Sequence, residues 1–293
     1  CIGHRSLRQA FILGSFMIKI VTTCYNCEAF IGTCILSALM QDLDDWEMYI
    51  FDDASTDNSV EVAEKTINGD HRIKIIKNSK NMGAVYNKTF NFVKVCDPED
   101  EDIIVTLDGD DFFNKKEALT YLNNVYLNGW WMTYGGASHT NSLMCADDFY
   151  TEIDWSRSLR NQRFCLGHLR SHKFFLMKNI KDIDLRYRNG TLFKIPEDVI
   201  LFIPMAEMCG KRKAHYLKQS LYFYRCHPNC DASDAKKNSH RTDIITKDLS
   251  VRQEYAVKTK EELLNWKCDW TFNEEGQTNF GSIRILKNKK GEG

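Results

Sequence analysis

Ile103-Ile104-Val105-Thr106-Leu107-Asp108-Gly109-Asp110-Asp111 is an apolar run that ends in three carboxylates within four residues. Its length, its β-branched content and its acidic, glycine-bearing end have the signature of a buried strand. Carboxylates this close repel one another. A divalent cation carrying a phosphorylated ligand at the mouth of the strand would relieve that crowding. The plain alternative is an Asp-rich loop that ends the strand and caps the next helix.

Working outward, the same rhythm recurs upstream. Ile18 to Thr23 reads as a buried strand, and Glu28 to Met40 carries apolar residues at helical spacing (Phe30, Ile31, Cys34, Ile35, Ala38, Leu39). Met48 to Phe51 is a second strand ending in Asp52-Asp53, and Asp57-Asn58-Ser59 supplies cap chemistry for a helix through about Ile67. Ile73 to Ile76 is a third strand, and a helix follows Asn81-Met82-Gly83. Alternation of this kind predicts an α/β fold whose mostly parallel sheet is flanked by helices. Ligands of such sheets bind beyond the carboxyl ends of the strands. The polar clusters stand at those ends: Thr22 to Asn26, Asp52 to Ser55, Asn78 to Gly83 and Asp108 to Asp111.

Downstream the texture changes. Trp131 to Gly136 reads as a strand, Asp147 to Arg163 as a polar loop, and Phe164 to Arg170 as a lead into a helix near His172 to Asn179. Glu197 to Cys209 is a helical candidate that Pro204 should bend or end. Leu221 to Arg225 is strand-like, the chain is polar from Cys230, and Lys287 to Gly293 suits a disordered tail. The expected division is an N-terminal extension (1–16), a nucleotide-binding half (17–130), an acceptor-binding and catalytic half (131–229) and a polar, partly flexible C-terminal extension (230–293).

Composition narrows the function. In 293 residues, 39 Lys and Arg nearly balance 40 Asp and Glu, which argues against a polyanion-binding surface, and so against nucleic acid as a partner. Ala10 to Val21 is apolar but short and broken by Ser15 and Lys19, so no integral membrane segment is expected. Eleven scattered cysteines suit reduced thiols in the cytoplasm better than a disulfide framework, and peripheral membrane association is compatible with that place.

Four segments in order carry a resemblance. Ile20-Val21-Thr22-Thr23-Cys24-Tyr25-Asn26, Asp52-Asp53-Ala54-Ser55-Thr56-Asp57, Asn81-Met82-Gly83 with Asn87, and the Asp-x-Asp motif Asp108-Gly109-Asp110 resemble the family-2 glycosyltransferases of GT-A fold. Ala54 replaces the family's Gly, and Tyr86 precedes Asn87 where many members have Arg, with Lys88 on the other side. The resemblance implies inverting transfer of a single sugar from a nucleotide diphosphate sugar, most often a UDP-sugar, to an acceptor hydroxyl on a glycan, lipid or protein. It implies a donor site drawn from Thr23, Tyr25, Asp52, Asp53, Asn81, Gly83, Asn87, Asp108 and Gly109. It further implies Mn²⁺ or Mg²⁺ on Asp110, with Asp108 and His227 near it, and a base at Asp198 beside Glu197. His168 and Arg170 fall on the acceptor side. All-oxygen ligation suits these ions, and a cation would stabilise the leaving diphosphate as a Lewis acid.

Plainer readings stand beside these roles. Acids after Pro196 are favoured in any first helical turn, a lone His is commonly structural, and Arg157, Arg160 and Arg163 suit a solvated face as well as an anionic acceptor. Cys24-Tyr25-Asn26-Cys27 has redox spacing, and Cys226 with Cys230 would complete a zinc site. A sugar-nucleotide nucleotidylyltransferase would want a Gly-rich basic loop after the first strand, which Thr22 to Cys27 lacks. A catalytically inactive GT-A protein that binds carbohydrate or acts as a scaffold is the remaining alternative.

Overall fold

The computed structural model describes residues 16–139, 151–162, 164–194, 196–228, 230 and 252–271. Most of the N-terminal extension, part of the Asp147 to Arg163 loop and the Lys287 to Gly293 tail lie outside the described residues. Eight strands form one sheet: β1 (Ile18–Cys24), β2 (Trp46–Asp52), β3 (Ile73–Lys77), β4 (Ile103–Thr106), β5 (Phe112–Phe113), β6 (Met132–His139), β7 (Arg170–Lys173) and β8 (Ala214–Tyr224), in the order β3-β2-β1-β4-β7-β6-β8-β5. β3, β2, β1 and β4 run parallel, whereas β7 is antiparallel to both β4 and β6.

The central parallel strands β1, β2 and β4 send apolar residues to both faces, as strands covered on two sides do, while the edge strand β3 exposes Lys74 and Lys77. Ile18, Ile20, Met48, Ile50, Ile103 and Val105 point into one core, whereas Val21, Tyr49, Phe51 and Ile104 alternate into the other. The first core packs against α1 (Ile31–Leu39), α2 (Ser59–Ile67) and α5 (Ala118–Leu127). The second takes α3 (Ala84–Tyr86), a π-helical turn (Asn87–Asn91), α4 (Phe92–Cys96), α6 (Phe174–Met177) and α7 (Glu197–Cys209).

Two expectations are corrected. The stretch expected to be helical near His172 to Asn179 opens as strand β7, and only the four-residue turn α6 follows it. All four β7 residues are buried between β4 and β6, so partners on both edges decide the backbone. Pro204 does not end α7, which runs on to Cys209 with every residue buried. Packing on all sides outweighs the hydrogen bond that proline removes.

The C-terminal extension is partly folded. Residues 252–271 of it carry α8 (Lys260–Asn265), opened by a capping box in which Thr259 and Glu262 exchange hydrogen bonds. Trp270 is buried, its indole N–H donates to the Ile180 carbonyl at 2.6 Å, and its ring lies 5.4 Å from Phe90. Tyr255 N donates to Glu207 of α7 at 3.0 Å. Arg160, one of the three arginines set aside for an anionic acceptor, is internal, its guanidinium paired with Glu207 at 2.6 and 2.7 Å.

Candidate active site

Register brings the polar ends together. Cys24 pairs with Asp52 across β1 and β2, and Thr106 pairs with Arg170 across β4 and β7. The exit of β4 and the entry of β7 therefore open on the same edge. Just past β4, Gly109 N donates to Thr23 O at 3.1 Å, and a Cβ at 109 would stand 2.9 Å from that oxygen. Only glycine lets the acidic segment lie this close to β1.

Two buried cations tie the acidic segment to α7. Lys88 Nζ lies 2.7 Å from Asp108 Oδ1 and 2.7 Å from Glu197 Oε1. Arg170 Nη1 lies 3.1 Å from Asp198 Oδ2, and its Nη2 bonds His168 Nε2 and stands 3.8 Å from Asp108 and 3.9 Å from Glu197. His168 Nε2 also lies 3.3 Å from Asp108 Oδ2, and its ring stacks between Tyr222 and Tyr224. Asp108, Glu197, Asp198, Lys88, Arg170 and His168 thus form one cluster drawn from the segment after β4, from α7, from the π turn, and from β7 and the residues just before it.

The charge states follow from these contacts. Burial works against the charge on Asp108, but Lys88, His168 and Arg170 outweigh it and hold the carboxyl well below the usual range. Burial likewise opposes the charge on Lys88 and on Arg170, and the facing carboxylates keep both protonated. Burial, then the Arg170 charge, lowers His168, which favours its neutral form against the pull of Asp108.

Asp111 differs. Burial and the neighbouring charges of Asp110 and Asp108 push its carboxyl well above the usual range. Tyr222 Oη donates to it at 2.6 Å and Arg225 N at 2.8 Å, so it anchors β8 beneath the cluster.

Asp108, Asp111 and His168 place ligand-capable atoms within 4.8 Å of one another, the one such group among the described residues, and no cysteine belongs to it. Yet Asp111 is spent on Tyr222 and Arg225, while Asp108 and His168 already face Lys88 and Arg170. Among the described residues no Lys or Arg pairs with Asp110. Its Oδ2 lies 3.1 Å from His227 Nε2, and the His227 ring rests 4.6 Å from Phe30. Adjacent ligands about 2.1 Å from a small divalent ion lie about 3 Å apart, so this pair fits two ligands of one ion. The Cys24 and Cys27 thiols are free and buried, which leaves little room for dithiol chemistry with a substrate. Cys226 is disulfide-bonded, whereas the other eight described cysteines are free, in line with reduced thiols rather than a disulfide framework.

On the donor side, Tyr25 is exposed, Thr23 is half-buried and Asp52 is buried. Asn81 is exposed, and its carbonyl accepts from Lys194 Nζ at 3.1 Å. Gly83 takes φ +88°, and a Cβ there would collide with Lys194 Cα at 2.7 Å. Asn87 is fully buried, accepting from Asn78 at 2.8 Å and from Asn91 at 3.2 Å and donating to Gly83 O at 3.1 Å. Lys88 was absent from the residues expected at the site. Its signal was the cation next to Asn87 on a helix aimed at the crevice; its two partners, 20 and 109 residues away, were not visible.

A mostly parallel sheet flanked by helices, with carboxylates gathered at the carboxyl edge of its strands, defines an α/β protein whose polar site lies at that edge. The sequence model described as glycosyl transferase family 2 matches residues 19–180, and the chain belongs to that family. An uncharacterized glycosyltransferase of Haemophilus influenzae is 32% identical over 191 residues, which are 63% of this chain and 75% of that protein. Among solved structures, S. aureus TarS 1-349 in complex with UDP-GlcNAc superposes with a TM-score of 0.56 at 19% identity, over 75% of this chain and 61% of that one. The mannosyltransferase PcManGT from Pyrobaculum calidifontis, in complex with GDP-Man and Mn²⁺, gives 0.56 at 15% identity, over 82% and 66%. At such identities the likeness carries the fold, which is GT-A. The chain is a glycosyltransferase of that fold.

Proposed function

We propose that the protein moves a single sugar from a nucleoside diphosphate sugar, a UDP-sugar in the first instance, to an acceptor hydroxyl with inversion. The carrying observation is the buried cluster in which Lys88 and Arg170 tie Asp108 to Glu197 and Asp198. Such a cluster fixes the distance between the donor's diphosphate side and a base, and that distance governs direct displacement.

Asp198 is the base we assign. Beside Arg170 its carboxylate is held in place, and it takes the proton as the acceptor oxygen bonds to the anomeric carbon and the sugar–diphosphate bond breaks. Glu197, held by Lys88, orients the neighbouring polar groups. Asp110 and His227, backed by Asp108, would hold Mn²⁺ or Mg²⁺, which when bound supplies Lewis-acid stabilisation to the leaving diphosphate. Manganese in PcManGT and UDP-GlcNAc in TarS support metal and donor class, although GDP-Man in the former leaves the base to experiment.

The acceptor, whether glycan, lipid or protein, meets the opening near His168 and the start of α7. No helix among the described residues is long and apolar enough to cross a membrane. Among the described residues eight cysteines are free thiols, which supports our assignment to the cytoplasm, and the Cys226 disulfide is the observation against it.

The test is turnover of a panel of UDP- and GDP-sugars with Mn²⁺. The account expects metal-dependent release of the nucleotide, and Asp198→Asn should lower turnover at least about a hundredfold. Near-normal turnover in that variant removes Asp198 from the mechanism. A chain that binds donor but never consumes it is the inactive binding protein instead.

A further inference from the structure

We propose that Asp53 is a positioning residue that couples the nucleotide side of the crevice to the catalytic helix α7, leaving Asp52 to meet the nucleotide. This rests on the transferase reading above and deepens it. The Asp53 carboxylate is 4% exposed and accepts three hydrogen bonds from one loop. Asn78 Nδ2 donates to Oδ1 at 2.9 Å, Met82 N to Oδ1 at 2.8 Å, and Gly83 N to Oδ2 at 2.9 Å. An ionised carboxylate has about four acceptor positions, so this one is nearly filled by its own chain. Its backbone is fixed as well, since Asp53 N donates to Cys24 O at 2.8 Å.

The loop that Asp53 grips leads to the catalytic acids by two routes. Through the backbone, Ala84 N and Val85 N donate to Lys194 O at 3.0 and 3.4 Å, and Lys194 Nζ returns to Asn81 O at 3.1 Å. Lys194 stands three residues before Glu197, and its contact with Gly83 is too close for any side chain at 83. Through side chains, Asn78 bonds both Asp53 and Asn87, the latter at 2.8 Å, and the next residue is Lys88, which holds Glu197. A shift of the 78–83 loop would therefore reach the start of α7 twice over. Asp52 is placed differently. Its two oxygens meet Ser55 N at 3.4 Å each, long contacts that leave acceptor capacity for a ligand.

The two roles separate in binding and turnover. Misplacement of a base by about 1 Å costs on the order of a hundredfold in rate, whereas loss of a ligand contact weakens affinity. UDP affinity with Mn²⁺, by calorimetry, and kcat with the donor the wild type consumes would be measured for Asp53→Asn and Asp52→Asn. Asp53→Asn should keep its UDP Kd within about threefold while kcat falls at least about tenfold. Asp52→Asn should show the reverse split. Tenfold weaker UDP binding with unchanged kcat in Asp53→Asn overturns the inference. If that variant does not fold, Asn78→Ala removes one donor to the same carboxylate and must give the same split; weaker UDP binding with normal kcat overturns the inference there too. A wild-type chain that binds no UDP and consumes no donor overturns the transferase reading itself, and this inference with it.

Discussion

Lys88 shows why single residues at this site resist being read from sequence. Its ammonium is buried and bonded to Asp108 and Glu197, so the three charges are only tolerable together. Removing one partner of a buried set leaves the others uncompensated, and Lys88→Met should cost about 3–5 kcal/mol of stability. Urea unfolding measures it; a loss under about 1 kcal/mol would mean that water already reaches the pair. The acids at 52, 53, 108, 110, 197 and 198 could be picked out as candidates because their types and order stand out in the sequence. Which carboxylate its own chain occupies was not legible, because that depends on backbone N–H groups that bear no side-chain signature. Asp53 and Asp52 are neighbours in sequence with quite different partners.

At the scale of elements, the parallel half followed from alternating apolar runs and caps, because each strand there is long enough to show its period. β7 did not, because four residues in the middle of a sheet carry no period of their own. The same strand makes a prediction about pH. His172 is buried, its ring edge-on to Phe202, and burial lowers its imidazole from 6.5 to about 4. Above pH 6.5 neither the folded nor the unfolded chain is protonated there. As pH falls, the unfolded chain takes up a proton that the folded chain refuses. Stability should therefore decline between pH 6.5 and about 4, by up to roughly 3 kcal/mol from this group. Urea midpoints across that range should fall less in His172→Gln than in the wild type. Parallel curves would assign the acid loss to other groups.

For the whole molecule, the C-terminal residues 252–271 are the part that composition described least well. They are polar on average, yet Leu263 and Trp270 are buried, and Trp270 packs on Phe90, two residues from Lys88. A few anchors in a polar stretch suffice to dock it, and an average over the stretch conceals them. Trp270→Ala should cost about 3–5 kcal/mol, read from thermal or urea unfolding. A loss under about 1 kcal/mol would show that the segment contributes little to the fold.

The proposed mechanism requires acids from separate strands and one helix to converge on a metal-bound diphosphate. Calorimetric titration of UDP, with and without Mn²⁺, into the wild type and Asp110→Asn tests that most directly. Binding of UDP should depend on manganese in the wild type and be at least about tenfold weaker in Asp110→Asn, the loss of one charge-assisted contact or more. UDP binding that is absent, or equal with and without the metal and in both proteins, would contradict it.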